Sequence, residues 1–143
     1  MTQIDFHVNA PAKLAYACRL ARKVYGTGLP VVFYGNEATL ATFDKLLWTF
    51  SPLDFIPHCR ARDPLAKVTP VLLAGPDDAD ACVHHDLLVN LDQEQPEFFG
   101  RFERMIEVVE AEAADLDAGR ARWKFYKDRG YPLARHDLAA PSE

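Results

Sequence analysis

Apolar residues recur along the chain in short runs whose spacing alternates between that of a strand and that of a helix. Residues 4–8 alternate in polarity and are rich in β-formers, which predicts a first strand. Residues 11–25 place their apolar side chains on one helical face, and Gly26 and Gly28 predict where that helix ends. Residues 30–34 are wholly apolar, as in a strand covered on both faces. This order of strand, helix and strand indicates a βαβ unit.

The alternation continues to the C-terminus. Residues 37–47 have helical spacing, with Asn36 as the expected N-cap and with Ser51 before Pro52 as the expected stop near Phe50. Further strands or extended edges are predicted at residues 54–58, 70–74, 85–91 and 105–109, the last of these because it is rich in β-branched residues. A loop is predicted at residues 59–67, a short helix at 96–102, and a last helix at 111–128 that Gly130 ends.

These elements together predict a fold class. Helices between apolar strands are typical of an α/β protein, so we expect a Rossmann-like, three-layer arrangement with a mostly parallel sheet flanked by helices. A chain of 143 residues fits a single domain, 1–143, which would bury roughly 68–70% of its unfolded surface. Residues 139–143 are expected to form a loose tail.

The densest run of large apolar residues is LLWTFSPLDFIPH, at residues 46–58. Five such side chains fall within nine positions, which is more aromatic surface than one small core usually needs at the end of a helix. We therefore expect the run to be divided. Leu47 and Ile56 are predicted to be buried, whereas Trp48 and Phe55 are predicted to form a docking surface.

Composition indicates a folded protein in a reducing compartment. Hydrophobic residues make up 49% of the chain and charged residues 26%, as in soluble globular proteins. No apolar run approaches the length of about 18 residues needed to span a membrane, and the N-terminus lacks the features of a signal peptide. The three cysteines, at 18, 59 and 82, are odd in number and widely spaced, which favours free thiols. We expect a cytoplasmic location.

The net charge of −5 conceals a reversal of sign near the C-terminus. Residues 92–117 contain nine acidic and two basic side chains, a net charge of −7. Residues 119–136 contain six basic side chains and one acidic side chain, a net charge of +5. An asymmetry of this size predicts that the last helix meets an anionic partner.

Candidate chemistry for an enzyme is sparse. The turns after the first two strands lack both glycine-rich phosphate-binding patterns, and Gly26-Thr27-Gly28 follows a helix, where a C-cap is expected. The only histidine cluster is His84-His85, whose neighbouring side chains would point to opposite faces of a strand and chelate one ion poorly. His58 and Cys59 are adjacent, a spacing that seldom gives catalytic geometry. We expect no catalytic residues, no metal and no cofactor.

The last helix has binding character. Leu116, Arg120, Trp123 and Lys127 share one face, and further cations widen the basic field at Arg122, Lys124 and Arg129. Cations around an indole suit a groove for an acidic peptide or a nucleic-acid strand. The alternative is a solvated helix whose Trp123 packs into the core. The net negative charge of the chain disfavours broad DNA binding.

Five segments in order resemble one family, the χ (chi) subunit of bacterial DNA polymerase III holoenzyme. They are IDFHV, FDKLLWTFSPLDFIPH, HDLLVNL, FERMIEVVE and RARWKFYKDRGYPL, and they span nearly the whole chain. The resemblance implies a Rossmann-like fold without enzymatic activity of its own. It also implies a role in the clamp-loader assembly, as an adaptor with only indirect association with single-stranded DNA.

The resemblance further implies two contact sites. The aromatic segment docks the ψ (psi) subunit in the family, and the matching positions here are Trp48, Phe55 and Pro57. The basic last helix receives the acidic, phenylalanine-ended tail of single-stranded DNA-binding protein, and this site is matched by Val109, at its floor, and by Arg120, Arg122 and Trp123. The family has a lysine where this chain has Leu116, and we expect Lys124 and Lys127 to compensate.

Two other functions remain open from the residues alone. The βαβ pattern is compatible with a small nucleotide-binding or hydrolytic α/β enzyme. The basic last helix is compatible with direct binding to nucleic acid, which would not require a partner protein.

Overall fold

The structure is a computed structural model that describes residues 1–50 and 55–139, and within these ranges the chain forms seven strands and three α-helices. In chain order they are β1 (Gln3–Ala10), α1 (Lys13–Thr27), β2 (Val31–Tyr34), α2 (Glu37–Thr49), β3 (His58–Arg60), β4 (Val71–Ala74), β5 (Leu87–Asn90), β6 (Arg104–Glu110), α3 (Ala113–Asp128) and β7 (Leu133–Asp137). Single 3₁₀ turns occur at Ala66–Val68, Ala79–Ala81 and Phe99–Arg101. None of the helices in these ranges is long and apolar enough to cross a membrane.

The described strands form one sheet in the order β3-β4-β2-β5-β6-β1-β7, and every pair in it is parallel. Wholly buried β2, β4 and β5 occupy its centre, which explains why their sequences are continuous apolar runs rather than alternating ones. Strand β1 lies between β6 and β7, with Phe6 opposite both Glu107 and Arg135. The predicted α/β fold with a mostly parallel sheet is confirmed.

Helices cover both faces of the sheet. One face packs against α1 and α2, where the ring of Phe33 lies 4.8 Å from that of Phe43. The other face packs against α3 and the 3₁₀ turns, where Phe6 and Met105 are buried with Tyr126. Burying each large apolar side chain stabilises the fold by about 1.5–3 kcal/mol, so both layers contribute to the core.

The helix ends follow the predicted signals. The Asn36 side chain accepts a hydrogen bond from the Thr39 amide at 2.9 Å, as expected of an N-cap. Gly28 and Gly130 adopt a left-handed conformation, with φ of 81° at each, just after α1 and α3. Helix α2 runs to Thr49 with Phe50 as its C-cap. The stop predicted from Ser51 and Pro52 lies outside the described residues.

Three predictions about local structure were wrong in part. Residues 59–67 are not a simple loop, because Cys59 and Arg60 belong to β3, which pairs with β4. Strand β3 begins at His58, whereas the extended edge was predicted at residues 54–58. Within residues 96–102 there is only one 3₁₀ turn, Phe99–Arg101, and not the predicted short helix. Phe98, Phe99 and Phe102 are all buried there. Residues 105–109 are a strand, as predicted. Of the predicted tail, 140–143 lie outside the described residues.

Strand β7 was not predicted at all. Its sequence, LARHD, has neither an apolar run nor clear alternation, because it is an edge strand with partly solvated side chains. Its parallel pairing with β1 fixes it in the sheet, from Ile4 opposite Leu133 to Val8 opposite Asp137. This edge contributes to the candidate site described below.

The three cysteines are free thiols, as predicted. Cys18 is a buried residue of α1 in the core on one face of the sheet, and Cys82 is buried on the opposite face. Burial raises the pKa of both thiols to about 11, so neither is poised to act as a nucleophile at neutral pH.

His7 on β1 is expected to make stability depend on pH. Burial and the nearby His136 lower its pKa to about 4, while its Nδ1 lies 2.5 Å from the Tyr16 hydroxyl. In the unfolded chain His7 takes up a proton near pH 6.5, whereas in the folded chain it does so only near pH 4. The free energy of unfolding therefore falls as the pH drops from about 6.5 towards about 4. Urea midpoints measured at pH 7 and pH 4.5 should show this loss, and the loss should be smaller in His7→Gln than in His136→Gln. Equal losses in both variants would contradict the assignment.

Candidate functional site

A groove of about 500 Å³ opens between α3 and the edge of the sheet formed by β1, β6 and β7. It combines an apolar lining with two arginines, and its lining residues are Phe6, Val8, Asn9, Val109, Leu116, Gly119, Arg120, Trp123 and Arg135. The sequence-predicted Val109, Arg120 and Trp123 thus come together in one place.

The floor of the groove is formed by apolar residues, and α3 lies very close to the sheet beside it. A Cβ at Gly119 would lie 3.0 Å from both methyl groups of Val109, so only glycine leaves the present spacing undisturbed. Val109 is buried beneath it, and Phe6 on β1 extends the floor. The Trp123 indole packs edge-on against Phe6 with ring centroids 5.1 Å apart. Trp123 is half-buried: it packs against the core and also lines the groove.

Two cations reach the groove from different elements. Arg120 on α3 has a side chain that is 73% exposed, and its Nη1 lies 2.9 Å from Asp117 Oδ1. Arg135 on β7 is 55% exposed, with Nη2 at 3.7 Å from Asp137 Oδ2. Exposed ion pairs of this kind are worth about 0–1 kcal/mol, so both guanidinium groups can exchange their local partner for a ligand carboxylate at little cost. Apolar floor and cationic rim together suit an acidic peptide that carries an aromatic side chain.

Arg122 is placed differently from the sequence-based prediction. Its side chain is 2% exposed and does not line the groove; its Nε lies 3.0 Å from Glu107 Oε1 in the core. Its Nη1 donates to the Gln93 carbonyl at 2.6 Å. Gly119, Arg122 and Tyr126 recur at i, i+3 and i+7 and form the buried face of α3, whereas the sequence analysis counted Arg122 among the cations of the exposed basic field.

Glu107 is the centre of that buried network. It accepts hydrogen bonds from the Tyr126 hydroxyl at 2.5 Å and from the Asn90 side chain at 2.9 Å, in addition to Arg122. Burial raises the pKa of Glu107, and the Arg122 charge acts in the opposite direction. Burial beside Glu107 also raises the pKa of Tyr126 far above its usual range. The network joins α3 to β5 and β6 and therefore fixes the helix that forms one wall of the groove.

Both lysines expected to compensate for Leu116 lie outside the groove lining. Lys124 is exposed, with its Nζ 2.8 Å from Asp128 Oδ2, and Lys127 is exposed near the end of α3. Leu116 itself adds to the apolar wall.

The second cation inside the groove is Arg135, which could not be assigned to the site from the sequence because β7 was not predicted. Phe6 and Val8 could have been found, since the alternation of β1 places them on one face.

The aromatic segment after α2 forms a second surface. Trp48 is 54% exposed and Phe55 is 63% exposed, and their ring centroids lie 5.3 Å apart with Pro57 half-buried nearby in the chain. Leu47 and Ile56 are each 3% exposed, so the predicted division of this segment into buried and exposed residues is confirmed.

The exposed ring of Trp48 packs against the buried ring of His58. The Trp48 ring lies 4.7 Å from the His58 imidazole, whose Nδ1 is 2.7 Å from the Ile56 carbonyl oxygen. The His58 Nε2 lies 3.1 Å from Asp44 Oδ1, although without hydrogen-bond geometry. An exposed aromatic pair held on an ordered base is typical of a protein interaction site.

A third cleft lies at the carboxyl ends of β5 and β6, where Rossmann-like proteins bind nucleotides. Carboxylates already occupy its helix N-termini. At the start of α1, Glu110 Oε2 accepts a hydrogen bond from the Lys13 amide at 2.7 Å. At the start of α3, Glu112 accepts a hydrogen bond from the Ala114 amide at 3.1 Å. Asp115 accepts from the Glu110 amide at 2.7 Å and pairs with Lys13. Negative charge at these positions disfavours a phosphate, and hence the nucleotide-binding alternative.

The candidate metal ligands are dispersed in the structure. His84 Nε2 lies 2.8 Å from the Thr69 carbonyl oxygen, whereas the His85 ring packs against Phe102 at 5.5 Å. Across residues 1–50 and 55–139, no group of three or more histidine, cysteine, aspartate or glutamate side chains is arranged to hold a metal ion.

Comparison with known proteins gives consistent results. The family model described as DNA polymerase III chi subunit, HolC, matches residues 1–134. A protein of Pseudomonas aeruginosa named DNA polymerase III subunit chi is 37% identical over 143 residues, which cover 96% of this chain and 98% of the relative. A protein of Haemophilus influenzae with the same name is 28% identical over 123 residues, which cover 85% of each chain. This chain therefore belongs to the DNA polymerase III chi subunit family.

Proposed function

We propose that the protein is a non-catalytic accessory subunit of the bacterial DNA polymerase III holoenzyme. In this role it links the clamp loader, through the psi subunit, to the acidic C-terminal tail of single-stranded DNA-binding protein during DNA replication. Family membership supports the general role in replication. The groove with an apolar floor and two arginines is the observation that supports the specific role.

The groove matches the chemistry of an acidic, phenylalanine-ended tail. A terminal phenyl ring would pack on Val109 and against Trp123, while carboxylates of the tail would pair with the two arginines of the rim. Charge-assisted contacts are worth about 1.5–3 kcal/mol each, and a buried phenyl ring about the same. Two such contacts with one ring give an affinity near the micromolar range when each contribution lies toward the upper end of these values. Binding should weaken with salt, because both arginines are exposed.

The other basic residues of α3 have distinct roles in this proposal. Lys124 and Lys127 are exposed beyond the groove, where they would contact acidic residues of the tail that lie farther from its end. Arg122 contributes indirectly: as a buried residue it holds α3, and therefore Arg120 and Trp123, against the sheet.

The aromatic pair Trp48 and Phe55, with Pro57, is the proposed docking surface for psi. Both rings are more than half exposed, and they lie together at the exit of α2. The groove is formed instead by α3, β1, β6 and β7, so different elements carry the two sites. One molecule could therefore engage both partners at once, which an adaptor must do.

We expect Phe55→Ala to weaken psi binding by at least about tenfold while leaving the urea unfolding midpoint nearly unchanged. A large exposed aromatic that becomes buried on binding often contributes 2 kcal/mol or more to affinity, roughly 30-fold, yet contributes little to the isolated fold. Calorimetric titration of purified psi into each variant measures the effect. The matched control is Leu65→Ala, which removes an exposed large apolar residue elsewhere on the surface.

Two results would contradict the psi site. Unfolding of the Phe55→Ala variant would show that Phe55 belongs to the core. Equal affinity of psi for Phe55→Ala and Leu65→Ala would show that this aromatic pair is not the contact.

A further inference from the structure

Helix α1 has an unusual charge. From residue 6 to residue 36 the chain contains four basic side chains and no aspartate or glutamate, although the whole protein has a net charge of −5. All four cations belong to α1, and they are Lys13, Arg19, Arg22 and Lys23. The acidic residues are concentrated elsewhere, above all between residues 92 and 117. The protein thus has a locally basic surface that its net charge hides.

The basic surface is one continuous helix face. Tyr16, Arg19 and Lys23 follow one another at helical spacing, and Arg22 lies beside them. Arg19, Arg22 and Lys23 are all exposed. Neither Arg19 nor Lys23 forms an ion pair with any residue that the structure describes.

Helix α3 of the same protein provides a useful contrast. Its exposed Arg120 and Lys124 are paired with Asp117 and Asp128 of the same helix, at 2.9 and 2.8 Å. Helix α1 contains no acidic residue, so Arg19 and Lys23 have no ion-pair partner within their own helix. Charges that serve only solubility are usually interspersed with the opposite sign, as they are on α3. The outer face of α1 instead has the single sign that suits an anionic ligand.

An aromatic ring is fixed next to these cations. The Tyr16 hydroxyl oxygen lies 2.5 Å from His7 Nδ1, which holds the ring in place, and the Arg19 guanidinium carbon lies 5.8 Å from the ring centroid. The His136 ring of β7 lies 5.1 Å from that of His7 and is exposed at the sheet edge. The surface therefore joins exposed cations to an ordered aromatic side chain.

We propose that the outer face of α1, with Tyr16, Arg19 and Lys23, is a contact site for the phosphate backbone of single-stranded nucleic acid. Guanidinium and ammonium groups neutralise phosphates, and an aromatic ring beside them gives a base a surface to stack on. This site is separate from the groove, because α1 and α3 cover opposite faces of the sheet. The inference goes beyond the proposed adaptor role, which requires no direct contact with nucleic acid.

The composition of the face favours nucleic acid over an acidic peptide. An acidic peptide would use the cations but has no general need for the ring of Tyr16, whereas an unstacked base does. Membership of a DNA polymerase subunit family also places the protein where single strands occur. The face is short, so the contact should be weak alone. The contact becomes stronger in effect when a bound partner holds a nucleic-acid strand nearby, because the local concentration of that strand is then raised.

The test is a fluorescence anisotropy titration of a labelled 20-nucleotide oligothymidylate with the full chain at several salt concentrations, in the range of about 20–200 mM. We expect binding at low salt that Arg19→Gln, Lys23→Gln weakens by roughly tenfold or more. The slope of log K against log salt should become shallower by about 1.4, since each lost phosphate contact with a single strand removes about 0.7. Tyr16→Leu should weaken binding without changing that slope.

A matched variant separates this face from general electrostatics. Lys124→Gln, Lys127→Gln removes the same two charges from α3 and should leave oligothymidylate affinity within about twofold of the unchanged protein. The α1 variant should in turn keep its affinity for an acidic, phenylalanine-ended peptide, so the outcome is independent of the groove. Unfolding midpoints of the two charge variants should agree with that of the unchanged protein, because the altered cations are exposed. Tyr16→Leu also removes the contact with His7, so its oligothymidylate affinity is compared only under conditions in which the variant is folded.

Several results would overturn the proposal. They are the absence of oligothymidylate binding at 20 mM salt, equal losses in the α1 and α3 variants, or loss of peptide binding together with oligothymidylate binding in the α1 variant. Binding of a labelled polyglutamate peptide but not of oligothymidylate would assign the face to an acidic protein and would also overturn it.

Discussion

Replacing Arg122 with alanine is expected to destabilise the fold by about 3–5 kcal/mol, the usual cost of removing one partner from a buried ion pair. The variant leaves Glu107 in the core with its main counter-charge gone, and the carboxylate is completely buried. The hydrogen bonds from Tyr126 and Asn90 would remain but cannot replace a positive charge. Urea denaturation of Arg122→Ala against the unchanged protein measures the difference.

A double variant distinguishes a buried pair from a binding residue. Because Glu107→Leu, Arg122→Met replaces both charges by apolar side chains, it should recover much of the stability that Arg122→Ala loses. The outcome that contradicts this account is an Arg122→Ala variant of unchanged stability that has lost its affinity for the acidic peptide. Arg122 would then be the direct contact that its sequence position suggested.

Arg135→Ala is expected to weaken binding of an acidic, phenylalanine-ended peptide by roughly 10–100-fold, an effect similar to that of Arg120→Ala. Each variant removes one charge-assisted contact of about 1.5–3 kcal/mol from the rim of the groove. Stability should change little, because both side chains are more than half exposed. Calorimetric titration of a synthetic peptide provides the affinities.

The matched control for this prediction is Lys124→Ala. Lys124 is a cation on the same helix as Arg120, but it does not line the groove. We expect its loss to reduce affinity by only a few fold, because the exposed ammonium group would meet acidic residues of the tail outside the groove, where water and salt screen the contact. If Arg135→Ala behaves like Lys124→Ala, then β7 is not part of the binding site, and the helix carries recognition without it.

The layered fold could be predicted from the sequence because its strongest signals are local. The apolar runs that form β2 and β4 can occupy only a sheet covered on both faces, and Asn36 and Gly28 mark helix ends by their own conformational preferences. Strand β6 was predictable from its β-branched residues, even though it is followed directly by a helix.

The site was only partly predictable because it depends on contacts distant in sequence. Arg120 and Trp123 could be assigned to one face of α3 from their spacing. The periodicity of α3 places Arg122 on the same face as Gly119 and Tyr126, but it gives no sign of the buried Glu107 on β6 that pairs with the guanidinium group. Arg135 reaches the groove only because β7 pairs with β1, more than 120 residues earlier in the chain.

The structure also clarifies the two roles of the segment at 46–58. Its described residues contribute Leu47 and Ile56 to the core under α1 and α2, and they present Trp48 and Phe55 to solvent. Exposing two such rings in an isolated subunit is unfavourable unless a partner covers them. His58 connects the buried and the exposed residues, because its ring is buried and packs against the exposed ring of Trp48.

Titration of the full chain with an acidic, phenylalanine-ended peptide tests the central proposal most directly, with the same peptide lacking its terminal phenylalanine as the comparison. We predict binding near the micromolar range at low salt, weaker binding at high salt, and a loss of at least tenfold for the shortened peptide. The double variant Arg120→Ala, Arg135→Ala should abolish detectable binding. Equal binding of both peptides, or full affinity in the double variant, would contradict the assignment of the groove as the tail-binding site.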